Sequence, residues 1–227
     1  MNALRFLNSI LLLLVLITMG CTSKKSGSAQ PGEGTVVYEI TYPDSTKFKA
    51  KSVFFPRTIT LIFKGNKAAF IANAGLGMVQ VVNLMDYDKQ TYTSLLISGI
   101  GQNFACKLTP DEIKNNETAE KLDFEITKES KIIAGLNCTK AIVKNKTTNS
   151  ISDLYYYDKI KFNYWNSPFK DFQYLFTEYT HTINHLTLKL KAVDIDLKTP
   201  VDEKMFEVKG QYQWVNEKEF YATLDRL

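Results

Sequence analysis

From Gly34 onward, apolar residues recur mostly at every second position, the period of half-buried strands. Val36, Tyr38, Ile40 and Tyr42 alternate with Val37, Glu39 and Thr41, and Pro43-Asp44-Ser45 turns the chain. Ile59, Leu61 and Phe63 repeat the pattern before a turn at Lys64-Gly65-Asn66, and Lys67 to Ala72 returns antiparallel. Met78 to Met85 and Gln90 to Ile97 flank a turn at Asp86-Tyr87-Asp88-Lys89, and Gln102 to Leu108 comes next. Later strands are expected at Ile132 to Ala134, Cys138 to Lys144 and Ile151 to Ile160. The clearest is His185 to Val193. There Leu186, Leu188, Leu190 and Ala192 share one face, and Thr187, Lys189 and Lys191 share the other. A polar outer face of this kind fits an antiparallel sheet with one side in water.

Helix signals are few. Thr109-Pro110-Asp111-Glu112 is a capping box with Pro at the first helical position, which predicts a helix to about Leu122. Asn216-Glu217-Lys218-Glu219 starts a second, with Phe220, Leu224 and Leu227 on one face. Between them, FNYWNSPFKDFQYLFTEY crowds Phe162, Tyr164, Trp165, Phe169, Phe172, Tyr174, Phe176 and Tyr179 into eighteen residues. After Pro168, helical spacing would set Phe169, Phe172 and Phe176 on one face. With Trp165 they form a candidate apolar plug over a ligand pocket, or simply core. The pattern from 34 to 227 therefore predicts one mainly β (α+β) domain, antiparallel, with one or two helices.

The N-terminus is different. Ile10 to Met19 is an apolar run with Thr18 as its one polar residue, too short to span a bilayer and suited to a signal peptide over residues 1–20. Gly20-Cys21 then resembles a bacterial lipobox, which makes Cys21 the expected lipidation site. Residues 21–33 form a flexible, polar linker of roughly 20 Å reach. Neither an acidic run nor an Asp stands directly after Cys21, where the chain reads Thr22-Ser23-Lys24-Lys25. The expected location is the periplasmic face of the outer membrane, with the lipid anchor as the membrane partner.

Charge and chemistry exclude more than they assign. Arg5 is the one charged side chain in residues 1–20, so residues 21–227 carry 27 basic against 24 acidic side chains, too small an excess to suggest nucleic acid. Cys106 and Cys138 could pair in an oxidising periplasm or serve as small buried thiols. His181 and His185 are the only histidines, and only Glu178 is near enough to complete a zinc set, so no metal is expected. No nucleophile elbow and no Ser-His-Asp arrangement exists, and Ala74-Gly75-Leu76-Gly77 lacks phosphate-loop spacing. No catalytic residue, cofactor or enzymatic activity is expected. Asp44-Ser45-Thr46 resembles a short periplasmic O-glycosylation motif centred on Ser45.

KIIAGLNCTK from Lys131 to Lys140, the late VDEKMFEVKGQYQWV, and the early PRTITLIFKGNKAAFI with VVNLMDYDKQTYTSLL after it carry a wider likeness. Together they resemble the DUF4412-type lipoproteins of Bacteroidetes, a group similar in outline to the LolA/LolB-like lipoprotein carriers. The resemblance spans about Gly34 to Val215. It implies a single curved antiparallel sheet, an incomplete barrel around helical plugs, whose concave face takes acyl chains in related carriers. No functional residue transfers position by position. Two functions are consistent with these features: a binding module for a lipid, acyl chain or other apolar ligand, and an envelope accessory protein that contacts another protein.

Overall fold

Two antiparallel meanders share one sheet. In the computed structural model, which describes residues 30–43, 55–115, 121–164, 167–183 and 186–224, the first runs through β2 (Glu33–Thr41), β3 (Thr58–Lys64), β4 (Lys67–Ala74), β5 (Val79–Asp86), β6 (Thr91–Ser98) and β7 (Phe104–Leu108). The second comprises β8 (Leu122–Ile133), β9 (Leu136–Asn145), β10 (Ser150–Tyr157), β12 (Leu175–Ile183) and β13 (Leu186–Asp196). They join where β13 pairs with β2, from Lys189↔Thr41 to Asp196↔Thr35. With β14 (Gln213–Trp214) added in parallel beside β7, the sheet has twelve strands. It does not close into a barrel, because β14 ends one side and β8 the other.

Local sequence explains most strand boundaries. Gly65 has φ 54° at the β3–β4 turn, and Ala134 and Gly135 have φ 45° and 80° at the β8–β9 turn, the two positive values a tight hairpin needs. On β13, Leu188, Leu190 and Ala192 are buried while Lys189 and Lys191 are exposed, as the alternation predicts. The folded part begins before Gly34: β1 (Gln30–Pro31) pairs in parallel with β11 (Ile160–Lys161), and Glu33 opens β2. Gly34 itself admits no side chain, since a Cβ would lie 2.7 Å from the Asp196 carbonyl oxygen.

The Thr109–Glu112 capping box forms in both directions, and Asn216 caps the second helix. Thr109 N–H and Oγ1–H each donate to Glu112 Oε2 at 2.8 Å, and Glu112 N–H donates back to Thr109 Oγ1 at 3.3 Å. The helix they open, α1, is described over Pro110–Asn115, and Leu122, where the sequence would end it, is already the first residue of β8. Glu219 N–H donates to Asn216 Oδ1 at the start of α2 (Glu217–Leu224).

Three clusters make the core. The largest covers one face of β2–β4, β8–β10 and β12–β13. A second lies on the opposite face of β3–β7, where Val201, Phe206 and Tyr212 of a C-terminal strap cover Ile62, Val82, Leu84 and Leu95. Lys64 fastens that strap: its Nζ donates to the Val201 carbonyl at 2.8 Å and pairs with Glu33 at 3.1 Å. The third packs Ile113 of α1 and Phe220 of α2 on Leu96, Cys106 and Leu108. The helices therefore sit against the β6–β7 end of the sheet. What fills the main face is a long excursion between β10 and β12, in which residues 158–164 and 167–174 form no helix.

Candidate functional site

The excursion exists because β10 and β12, neighbours in the sheet, are separated by seventeen residues of chain. Its aromatic residues cannot be solvated cheaply, so they fold back over the sheet. Phe162, Tyr164, Phe169 and Phe172 are all buried, each such ring contributing roughly 1.5–3 kcal/mol by its burial. The expected helix over Phe169 to Phe176 does not form. Lys170 N–H bonds to Ser167 O and Phe172 N–H to Phe169 O, a single turn, and Leu175 then starts β12 with Phe176 inside the strand. The three rings meet nonetheless: Phe176 lies 5.3 Å from Phe169 and 5.8 Å from Phe172 between centroids, and it stacks on Tyr164 at 3.9 Å. Trp165, the fourth residue of the expected plug, lies outside the described residues, as do Cys21 and Ser45.

Opposite residues in a sheet share a face, so the register can be traced across strands. Leu61, Phe70, Asn83, Ser94 and Cys106 lie in one row from β3 to β7. The aromatic excursion covers one end of this face and the helices cover the other. Between them lies a half-open cavity of about 190 Å³. Tyr92 of β6 and His181 of β12 both line it, although they stand six strands apart in sheet order. In a flat sheet that separation would be roughly 29 Å. The sheet curls to bring them together.

The lining is apolar with a few polar groups. Ile59, Phe70, Met85, Phe169, Leu188 and Leu190 supply the aliphatic and phenyl wall, and Asn83, Ser167, His181, Tyr92, Tyr164 and Tyr179 supply the rest. Asn83 Oδ1 accepts from Ser94 Oγ at 2.8 Å. Phe169 presents its ring to His181 at 5.6 Å. Burial lowers the His181 pKa to about 4, so the imidazole is neutral at pH 7. It also pushes the Tyr92, Tyr164 and Tyr179 phenols well above their ordinary range. No charged side chain lines the cavity at neutral pH.

Other sequence expectations resolve separately. Cys106 and Cys138 are both free and buried, one under the helices on β7 and the other in the main cluster on β9, so they do not pair. Among the described residues no group of three His, Cys, Asp or Glu could hold a metal. Glu178 instead accepts from Lys131 at 2.8 Å and pairs with Lys189 at 3.2 Å. Burial would raise its pKa, and the two lysines more than offset that. No helix among the described residues is long and apolar enough to cross a membrane. Sequence reasoning missed Asn83 and Leu188 as cavity residues, since nothing local distinguishes them from ordinary strand positions, and it marked Tyr179 only as one of the crowded aromatics.

A second feature lies at one end of the sheet. The loop joining β4 to β5 and the loop joining β6 to β7 are linked by a bond from Gly99 N–H to Met78 O at 2.8 Å. They hold Leu76, Met78 and Ile100 at 76%, 47% and 86% exposure. Neither loop contains a charged residue between Ala74 and Met78 or between Ser98 and Asn103.

No family model matches the chain, and a search of the curated proteins finds no match. Two solved structures of PNGF-II, in different space groups, are similar in fold, with TM-scores of 0.52 and 0.50 at 12% identity. Each match covers 86% of this chain, but only 34% and 33% of PNGF-II, so the chain spans about a third of that protein. At this identity the likeness concerns the fold alone.

Proposed function

We propose that this chain is an envelope lipoprotein, anchored by lipid at Cys21 on the periplasmic face of the outer membrane, that binds a small apolar group. The architecture behind this reading is an incomplete, LolA-like barrel of DUF4412 type, in which the aromatic excursion takes the part of the plug. The cavity between Phe70, Met85, Phe169 and Leu190 is the observation that supports it. At about 190 Å³ it is smaller than the roughly 300–1,000 Å³ of a drug-sized site. It exceeds the roughly 150 Å³ that suffices for benzene. The fitting ligand is one ring or a short alkyl segment, such as the end of an acyl chain.

Saturation-transfer NMR of the full-length chain with ethylbenzene tests the site. Saturable binding that is lost when Ile59→Trp fills the cavity supports it; no transfer to the wild-type protein would sink it. For the anchor, Cys21→Ala should move the protein out of the membrane fraction, and retention there in unprocessed form would defeat that part.

The uncharged tip of Leu76, Met78 and Ile100 favours a second reading, an accessory protein that docks on another envelope protein through these loops. Crosslinking from Ile100 to a defined protein, with an ethylbenzene-free cavity, would favour it over the first.

A further inference from the structure

Three polar groups at the cavity have hydrogen-bonding capacity that the protein does not use. Asn83 spends its Oδ1 on Ser94, and its amide Nδ2 has no acceptor among the described residues. The Tyr179 hydroxyl and the His181 imidazole have no hydrogen-bond partner among them either. None of these atoms is sealed in the core, because no fully buried side-chain nitrogen or oxygen among the described residues lacks a partner. The residues that carry them line the same space as Phe70, Leu188 and Leu190.

Polar groups at an otherwise apolar wall are costly unless something meets them. The Nδ2 and the hydroxyl can both donate, and a neutral imidazole can donate from one nitrogen. The lining holds no Lys, Arg, Asp or Glu, and its titratable groups are the phenols of Tyr92, Tyr164 and Tyr179 and the His181 imidazole, which burial keeps neutral at pH 7. An ionised ligand would enter an apolar site without a counter-ion, which is strongly unfavourable.

We infer that the cavity selects an uncharged ligand in which a ring or short alkyl body carries one hydrogen-bond acceptor, such as a ketone, ester or amide carbonyl, received by Asn83, Tyr179 and His181. An ester-linked or amide-linked acyl group fits this description, and a free carboxylate does not. Asn83 and His181 are the specificity-determining pair, placed on β5 and β12 and brought together only by the curl of the sheet. The inference rests on the apolar-cavity reading above and adds the chemical class of the ligand.

The test uses three probes of nearly equal size with the full-length chain at pH 7: ethylbenzene, acetophenone and benzoate. Acetophenone is expected to bind about three- to tenfold more tightly than ethylbenzene, the worth of one net hydrogen bond, and benzoate not to saturate. In Asn83→Leu and His181→Phe, with folding checked by circular dichroism, the acetophenone-to-ethylbenzene ratio is expected to fall towards one. Should either variant fail to fold, the wild-type comparison decides alone. Equal binding of ethylbenzene and acetophenone, or benzoate binding as well as acetophenone, would overturn the inference and leave the apolar cavity standing. Absence of binding by all three would overturn both.

Discussion

Tyr38 on β2 donates its hydroxyl hydrogen to the backbone carbonyl of Phe176 on β12 at 2.7 Å, reaching past the intervening β13. The amide of the same residue is met by a second phenol: Phe176 N–H donates to Tyr164 Oη at 2.8 Å. Phe176 stands where the β10–β12 register slips, between the pairs Tyr155↔Glu178 and Tyr156↔Phe176. Two tyrosines thus complete the backbone hydrogen bonding of a bulged strand at the centre of the main cluster.

Removing either hydroxyl should expose that dependence. Tyr38→Phe and Tyr164→Phe are each expected to lower stability by about 1–3 kcal/mol, because each strands a buried backbone group. Urea denaturation measures it, and a double mutant less than additive would show that both act on Phe176. A loss below about 0.3 kcal/mol in both would mean the bonds are incidental.

His181 should make stability fall in mild acid. Its folded pKa is about 4 against about 6.5 when unfolded, so between these values the unfolded chain binds the extra proton. Stability is full above about pH 6.5 and declines as pH falls towards 4, by about 2 kcal/mol between pH 7 and pH 5. In His181→Phe that slope should largely vanish. An unchanged slope in the variant would assign it to other groups.

The two thiols should be unreactive until the protein unfolds. Burial raises the pKa of both Cys106 and Cys138, so the nucleophilic thiolate is scarce as well as shielded. Alkylation at pH 8 is expected to modify them only in denaturant. A peptide linking 106 to 138 after non-reducing digestion would contradict their separation in the fold.

Leu76 sits at φ 57° with its side chain 76% exposed, a left-handed conformation that costs a branched L-residue roughly 1–2 kcal/mol. Leu76→Gly is expected to raise stability by about 0.5–1 kcal/mol after glycine's own entropy is counted. A thermal melt would show it. A stability loss would mean that Leu76 packs on something in the folded chain.

Local chemistry determined a good deal. The alternation from Leu186 to Ala192 states which side chains go inward, whatever they pack against, because successive Cβ atoms in a strand point to opposite faces. Thr109 with Glu112, and Asn216 with Glu219, could be seen as helix starts because a capping interaction spans only three residues. The mainly β character of the chain comes from these short-range rules.

Tertiary structure decided what those rules leave open. Phe169, Phe172 and Phe176 have helical spacing, yet a seventeen-residue return over the sheet, ending in a strand paired with β10 and β13, won over a helix with little but spacing to recommend it. Cys106 and Cys138 could be judged only once β7 and β9 were placed far apart in sheet order. The same is true of Asn83 and His181. Asn83 reads as an ordinary strand residue and His181 as a histidine without a metal set, because alternation assigns a face and never says which distant strand will curl to share it. The pairing of β2 with β13 is what joins the two meanders, and a contact between residues about 150 positions apart leaves no mark on the sequence around either one.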